Sequence, residues 1–161
     1  MELPLETIVY GASTVIGLSA GVLGILHRGG GATYDSERKV NVSNGKGFSS
    51  KIIEKYPNYA NYSSVVDHFL ESVAFTLGIG GLVGMVVPYL FGQEFMADAP
   101  STALMIPFYN GAIAGLLIKI WSELKYTLPR INNLTKWDFY QLVGDVAGIT
   151  LPLYVAYQIL S

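Results

Sequence analysis

Among the titratable side chains within or at the edge of apolar runs in this chain, five are the candidates for any chemistry. Lys119 interrupts "GAIAGLLIKIW" and Asp145 interrupts "LVGDVAGITL", while His27, His68 and Glu71 lie near the ends of two other runs. A charge in such a setting is costly, so it either finds a partner or has work to do. Lys119 falls five residues before the end of its run and Asp145 six residues into its own. At 1.5 Å per residue, each is then roughly 8 Å below a helix end. If the two helices are neighbours in an antiparallel hairpin, a Lys119–Asp145 ion pair follows, with Gly144 and Gly148 leaving room for the lysine to reach across. His68 and Glu71 approach the same level. We read the pair as structural, with snorkelling toward the interface; a polar site or proton relay is the alternative.

Other chemistry finds little support. The chain has no cysteine, which removes disulfides, thiolate metal sites, iron–sulfur ligation and thiol catalysis. Its two histidines, His27 and His68, lie at the ends of different runs, without the second shell of several acids at helical spacing that would support a metal or haem. No nucleophile motif or phosphate loop occurs. "GIGGLVG" superficially matches a dinucleotide fingerprint, but it falls mid-run and follows no strand. The expectation is a protein that is not an enzyme, with no catalytic residues, no metal and no cofactor.

The elements that must position these side chains are membrane spans. Of 161 residues, 51% are hydrophobic and 14% charged, and mean hydropathy is +0.40; a soluble domain carries about 25% charged residues. Residues 5–27, 66–92, 102–124 and 139–160 are each long enough to cross a bilayer, which takes about twenty apolar residues. The expected fold is an all-α membrane protein, one domain over 1–161, with four transmembrane helices and a polar loop at 28–65. The acidic start, "MELPLETIVYGAS", matches neither a secretory signal nor a transit peptide, so the first run is expected to be retained.

Every span holds a Gly-x-x-x-Gly pair: Gly17 and Gly21, Gly80 and Gly84, Gly111 and Gly115, Gly144 and Gly148. Residues four apart share a helix face, and glycine there lets backbones approach, so these pairs predict the packing faces. Pro88, Pro107 and Pro152 fall inside helices two, three and four and predict curvature.

All ten Lys and Arg fall on one side of this four-span arrangement. The N-terminus, the second connection and the C-terminus have none. The positive-inside rule then puts 28–65 and the third connection in the matrix or cytoplasm, and both termini opposite. Trp121 and Trp137 sit at boundaries on the positive side, as in an aromatic belt. The 28–65 segment reads as an extended surface loop with a short interfacial helix at Ser50–Lys55, and the third span starts at Asp98 or Ser101. Three Asn-x-Ser/Thr sequons, at Asn41, Asn61 and Asn133, lie on the positive side and read as chance.

"DHFLESVAFTLGIGGLVGMVV" (67–87) and "FYNGAIAGLLI" (108–118), with the topology, resemble the mitochondrial inner-membrane translocase (Tim) channel family. Within it they are most similar to the four-helix accessory subunits of respiratory complex I. The resemblance rests on Phe69-Leu70-Glu71 before a small-residue helix, and on Asn110 before Gly111 and Gly115. The 28–65 loop is longer than is usual there. The resemblance implies a non-catalytic structural subunit of an inner-membrane respiratory complex, with its termini in the intermembrane space. Its partners would be other subunits and membrane lipids, including bound cardiolipin, and not nucleic acid. A protein-translocase component and a small transporter or channel are the alternatives.

Overall fold

A computed structural model describes residues 4–28, 32–35, 40–43, 50–92, 99–126, 134 and 136–161. The helices are α1 (Leu5–Arg28), α2 (Ser50–Lys55), α3 (Tyr59–Val73), α4 (Gly80–Phe91), α5 (Ser101–Leu104), α6 (Ile106–Tyr126) and α7 (Lys136–Leu160). Between α3 and α4 the chain stays helical but widens into a π-helix over Ala74–Ile79. Four stretches are long and apolar enough to cross a membrane: Leu5–His27, Tyr62–Val87, Ser101–Ser122 and Asp138–Leu160.

The inner and outer faces of these helices show why the sequence folds this way. On α1, Tyr10, Ser13, Thr14, Gly17 and Ala20 turn inward, while Ile8, Val15, Leu18, Val22 and Leu26 stay exposed. On α7, Gly144, Asp145, Gly148, Pro152 and Ala156 turn inward, while Leu142, Val146, Leu151 and Val155 stay exposed. The inward spacing of three and four residues is the helical period. Small and polar residues thus line the interior and branched aliphatics the exterior, the arrangement suited to a lipid solvent and costly in water.

The second span, α3 through α4, is the hub. It packs against α1 along most of its length, against α7 through α3, and against α6 through the π segment and α4. By contrast α6 and α7 meet only briefly. The expectation of a close hairpin between the third and fourth spans is therefore corrected: the second span sits between them. Gly144 and Gly148 face α3 rather than α6; a Cβ added at Gly148 would lie 2.5 Å from the Phe69 carbonyl oxygen, and one at Gly144 2.8 Å from that of Val65.

The approaches are just as close at the π segment. A Cβ on Gly17 would overlap the Gly78 backbone, and one on Gly111 would lie 2.6 Å from the Phe75 oxygen and 2.7 Å from the Gly80 nitrogen. Gly21 is different, because a Cβ there would meet only the Ala74 methyl, at 3.4 Å. At the far end of the bundle, Val9, Tyr10, Leu104, Met105, Phe108, Ala156 and Leu160 form an apolar core. The Tyr10 and Phe108 rings lie 5.5 Å apart, and the Tyr10 hydroxyl donates to the Leu104 carbonyl at 2.7 Å.

Three details depart from the sequence reading. The 28–65 segment is not only loop. Ala32–Asp35 and Val40–Ser43 pair as antiparallel strands, favoured by Thr33, Tyr34, Val40 and Val42, and α3 already begins at Tyr59. Pro107 is not in a helix interior, because the chain breaks at Met105 and α6 restarts at Ile106; proline fits a first helical turn, where its missing N–H costs nothing. The third span opens at Ser101 after an extended Pro100, while Asp98 lies outside the described residues. So do Asn133 and the side chains of Asn41, Asn61, Pro88 and Trp137. Ser50–Lys55 is helical, and Pro152 is inside α7. The second span stops at Gly92, whose φ of 86° suits a glycine-type helix cap.

Candidate functional site: a charged cluster shared by three spans

Within six residues of α3, four side chains reach three different helices. Asp67 turns to α1, His68 and Ser72 to α7, and Glu71 to α6. That is possible because α3 is central, in contact with α1, α6 and α7.

The larger cluster is built around Asp145, which is buried. Lys119 Nζ lies 3.1 Å from Asp145 Oδ1 and donates to Glu71 Oε2 at 2.6 Å. The Ser72 hydroxyl donates to Asp145 Oδ1 at 2.8 Å, and His68 Nδ1 lies 2.9 Å from Asp145 Oδ2. The lysine also comes within 3.4 Å of His68 Nδ1. Lys119 and Asp145 thus meet although their helices barely touch. The lysine passes along the face of α3, and His68 and Ser72 fill the space between.

A smaller cluster joins α1 to α3. His27 Nδ1 lies 2.6 Å from Asp67 Oδ1, and His27 Nε2 lies 3.0 Å from the Tyr59 hydroxyl. A ring with its proton on Nδ1 donates to Asp67 and accepts from Tyr59, so one neutral imidazole satisfies both contacts. One turn nearer the helix start, Gln141 Nε2 donates to the Ser64 hydroxyl at 2.6 Å. The two histidines that spacing left without supporting acids each have one. The acids come from other helices, which spacing along a single helix does not reveal.

Two participants were not singled out by the sequence. Ser72 looks like any small residue of a tightly packed span, and Asp67 looks like a helix-end acid. A usable hint for Asp67 was its neighbour: Asp67 and His68 adjacent at the start of a span present opposite chemistries about 100° apart. Thr76, one turn deeper than Ser72 and inside the π segment, is fully buried, and its Oγ1 has no hydrogen-bond partner among the described residues. No group of three or more His, Asp or Glu suited to a metal ion occurs among the described residues.

What the arrangement can do chemically is hold charges of both signs in a shielded place and tie helices together. Its fold class is that of a multi-pass helical bundle of membrane-spanning proportions. Comparison with protein-family models, curated proteins and solved structures finds no match to this chain.

Proposed function

We propose that the chain is a non-catalytic structural subunit of a respiratory complex in the mitochondrial inner membrane, complex I or a supercomplex. The observation that carries the structural role is where the interior side chains point. Asp145, Lys119, Glu71, His68 and Ser72 bond across helices in one cluster, and His27 and Asp67 in another. The outward faces of all four spans are apolar and suited to lipid and neighbouring subunits. The choice of complex rests on the resemblance of 67–87 and 108–118 to the Tim channel family and its complex I members.

In this reading the Gly-x-x-x-Gly faces are the packing surfaces of the bundle. The one-sided Lys and Arg set 28–65 in the matrix and both termini in the intermembrane space. Cardiolipin lies against the positive side. The deciding experiment is a native gel after mild detergent, with mass spectrometry of the band that holds the chain. Co-migration with a respiratory complex is expected. Migration alone, together with solute flux in liposomes, would make it a transporter, and crosslinks to precursor chains would make it a translocase component.

A further inference from the structure

We infer that the outward face of α6 is an interface between two copies of this chain, joined in the middle of the membrane by their Asn110 side chains. The third span runs Ser101–Ser122, so Asn110 lies nine residues from one end and twelve from the other. At about 1.5 Å per residue, that is close to mid-bilayer. Gly111, Ala112 and Gly115 beside it are buried, whereas Asn110, Tyr109 and Ile113 are exposed. The carboxamide offers two donors and an acceptor, yet it makes no hydrogen bond among the described residues. Thr150 on α7 shows the contrast: it is exposed too, but its hydroxyl donates to the Val146 carbonyl at 2.8 Å. An amide facing hydrocarbon has no water to turn to, and a polar group left unbonded there is costly. Asn110 is too short and too deep to snorkel to either headgroup layer.

The residues in line with it give the shape of the partner. Ile106, Asn110, Ile113, Leu117, Ile120 and Leu124 recur at alternating steps of four and three, and all are exposed. That is the seven-residue spacing by which two helices wrap around each other. Asn110 falls at one of the seam positions, where a single asparagine sets register between the strands of a coiled coil. The stripe lies opposite the inner face of α6. There Gly111 and Gly115 meet Phe75 and Lys119 meets Glu71, so the pairing leaves the bundle's own contacts in place.

A second copy meets the needs of the amide without any further condition. Copies inserted with the same orientation run their α6 helices in parallel. A contact about a two-fold axis along the membrane normal then brings residue 110 to residue 110 at one depth. A carboxamide is its own complement, since the N–H of each donates to the C=O of the other. A helix of another protein would need a polar side chain of its own at that depth and on the matching face. Lipid tails offer the amide nothing to bond.

The chain has no cysteine, so single replacements report contacts cleanly. The full chain is reconstituted at high dilution in phosphatidylcholine vesicles and oxidised. Ile113→Cys and Leu117→Cys, on the stripe, should form disulfide-linked dimers, because a parallel pair brings those positions within disulfide reach. Leu116→Cys and Ile118→Cys, also exposed but turned to either side of the stripe, should not. Energy transfer between donor-labelled and acceptor-labelled chains measures the association itself. Asn110→Leu should weaken it about tenfold, and Asn110→Gln, which keeps the carboxamide, should retain most of it. Equal crosslinking at all four positions would overturn the inference. So would energy transfer no higher than random encounter gives, or equal association of wild type and Asn110→Leu. Crosslinks in native membranes from positions 113 and 117 to a different protein, in place of a second copy, would overturn it as well. A chain that proves not to belong to a respiratory complex leaves this pairing unaffected, and one that belongs without pairing overturns only the pairing, so the two proposals fail separately.

Discussion

The two halves of this bundle are held together by opposite means. Toward the Lys/Arg side, side chains of α1, α6 and α7 tie those helices to α3 by ionic and hydrogen bonds, with α7 also packed closely on α3 at Gly144 and Gly148. At the π segment, α1 and α6 come so close to the second span that backbone meets backbone, and glycine is what permits it. The first kind of joint depends on charge and tolerates small shifts. The second depends on volume and tolerates almost none. Close-packed interiors respond to added atoms more sharply than to rearranged ones.

The sharpest way to break the comparison is Gly111→Leu. Its side chain would enter the space held by the Phe75 and Thr76 carbonyls and the Gly80 nitrogen, which cannot move without opening the second span. A loss of about 3 kcal/mol or more is expected, at the upper end of overpacking costs. Thermal melting of the purified chain in detergent checks it, and an unchanged melt would mean that the two spans are further apart than described.

Next is Asp145→Asn, which leaves Lys119 with Glu71 alone. Removing one member of a well-buried pair costs roughly 3–5 kcal/mol. Here about 2 kcal/mol is expected, because Glu71 still neutralises the lysine. Adding Lys119→Met should restore only part of the loss, since Glu71 then loses the lysine in its turn; a further Glu71→Gln should restore more. Strict additivity across the single, double and triple variants would show that the three side chains do not interact.

Tyr10→Phe tests the apolar end with a smaller probe. It deletes the hydroxyl bonded to the Leu104 carbonyl and keeps the ring against Phe108. About 1 kcal/mol should be lost, the net worth of a buried hydrogen bond. A variant more stable than the parent would mean that the bond is not formed.

The smallest effect sharpens the comparison instead of breaking it. Gly21→Ala adds a methyl in ordinary contact with Ala74, so it should change the melt by less than about 0.5 kcal/mol. Gly17→Ala, one turn away on the same face, should cost several times more. Equal effects would show that the spacing of the motif matters and the local approach does not.

Much of this was readable in the chain. Runs of twenty apolar residues have one stable solution, a helix with every backbone group satisfied inside it, and so the four spans stand out. Lys119 and Asp145 stand out for the same reason, as charges in places where charges are expensive. Which helix lies beside which was not readable. The second span shows on its surface only the same small residues as the others, and its central place follows from contacts that no single helix encodes. The pairing of 32–35 with 40–43 was hidden by surrounding Gly and Ser. Asp67 and Ser72 became site residues only once α1 and α7 were seen on either side of α3.

The π segment makes the second span one residue longer than its geometry requires. A turn with i→i+5 bonding takes in an extra residue without changing the direction of the α-helix on either side. A chain lacking Thr76 would then run as an uninterrupted α-helix, with Ser72 still toward Asp145 and Gly80 still toward Phe108. Thr76, whose hydroxyl has no hydrogen-bond partner among the described residues, thus lies in a turn with one residue of slack, and this span should tolerate a deletion there better than a substitution by anything larger.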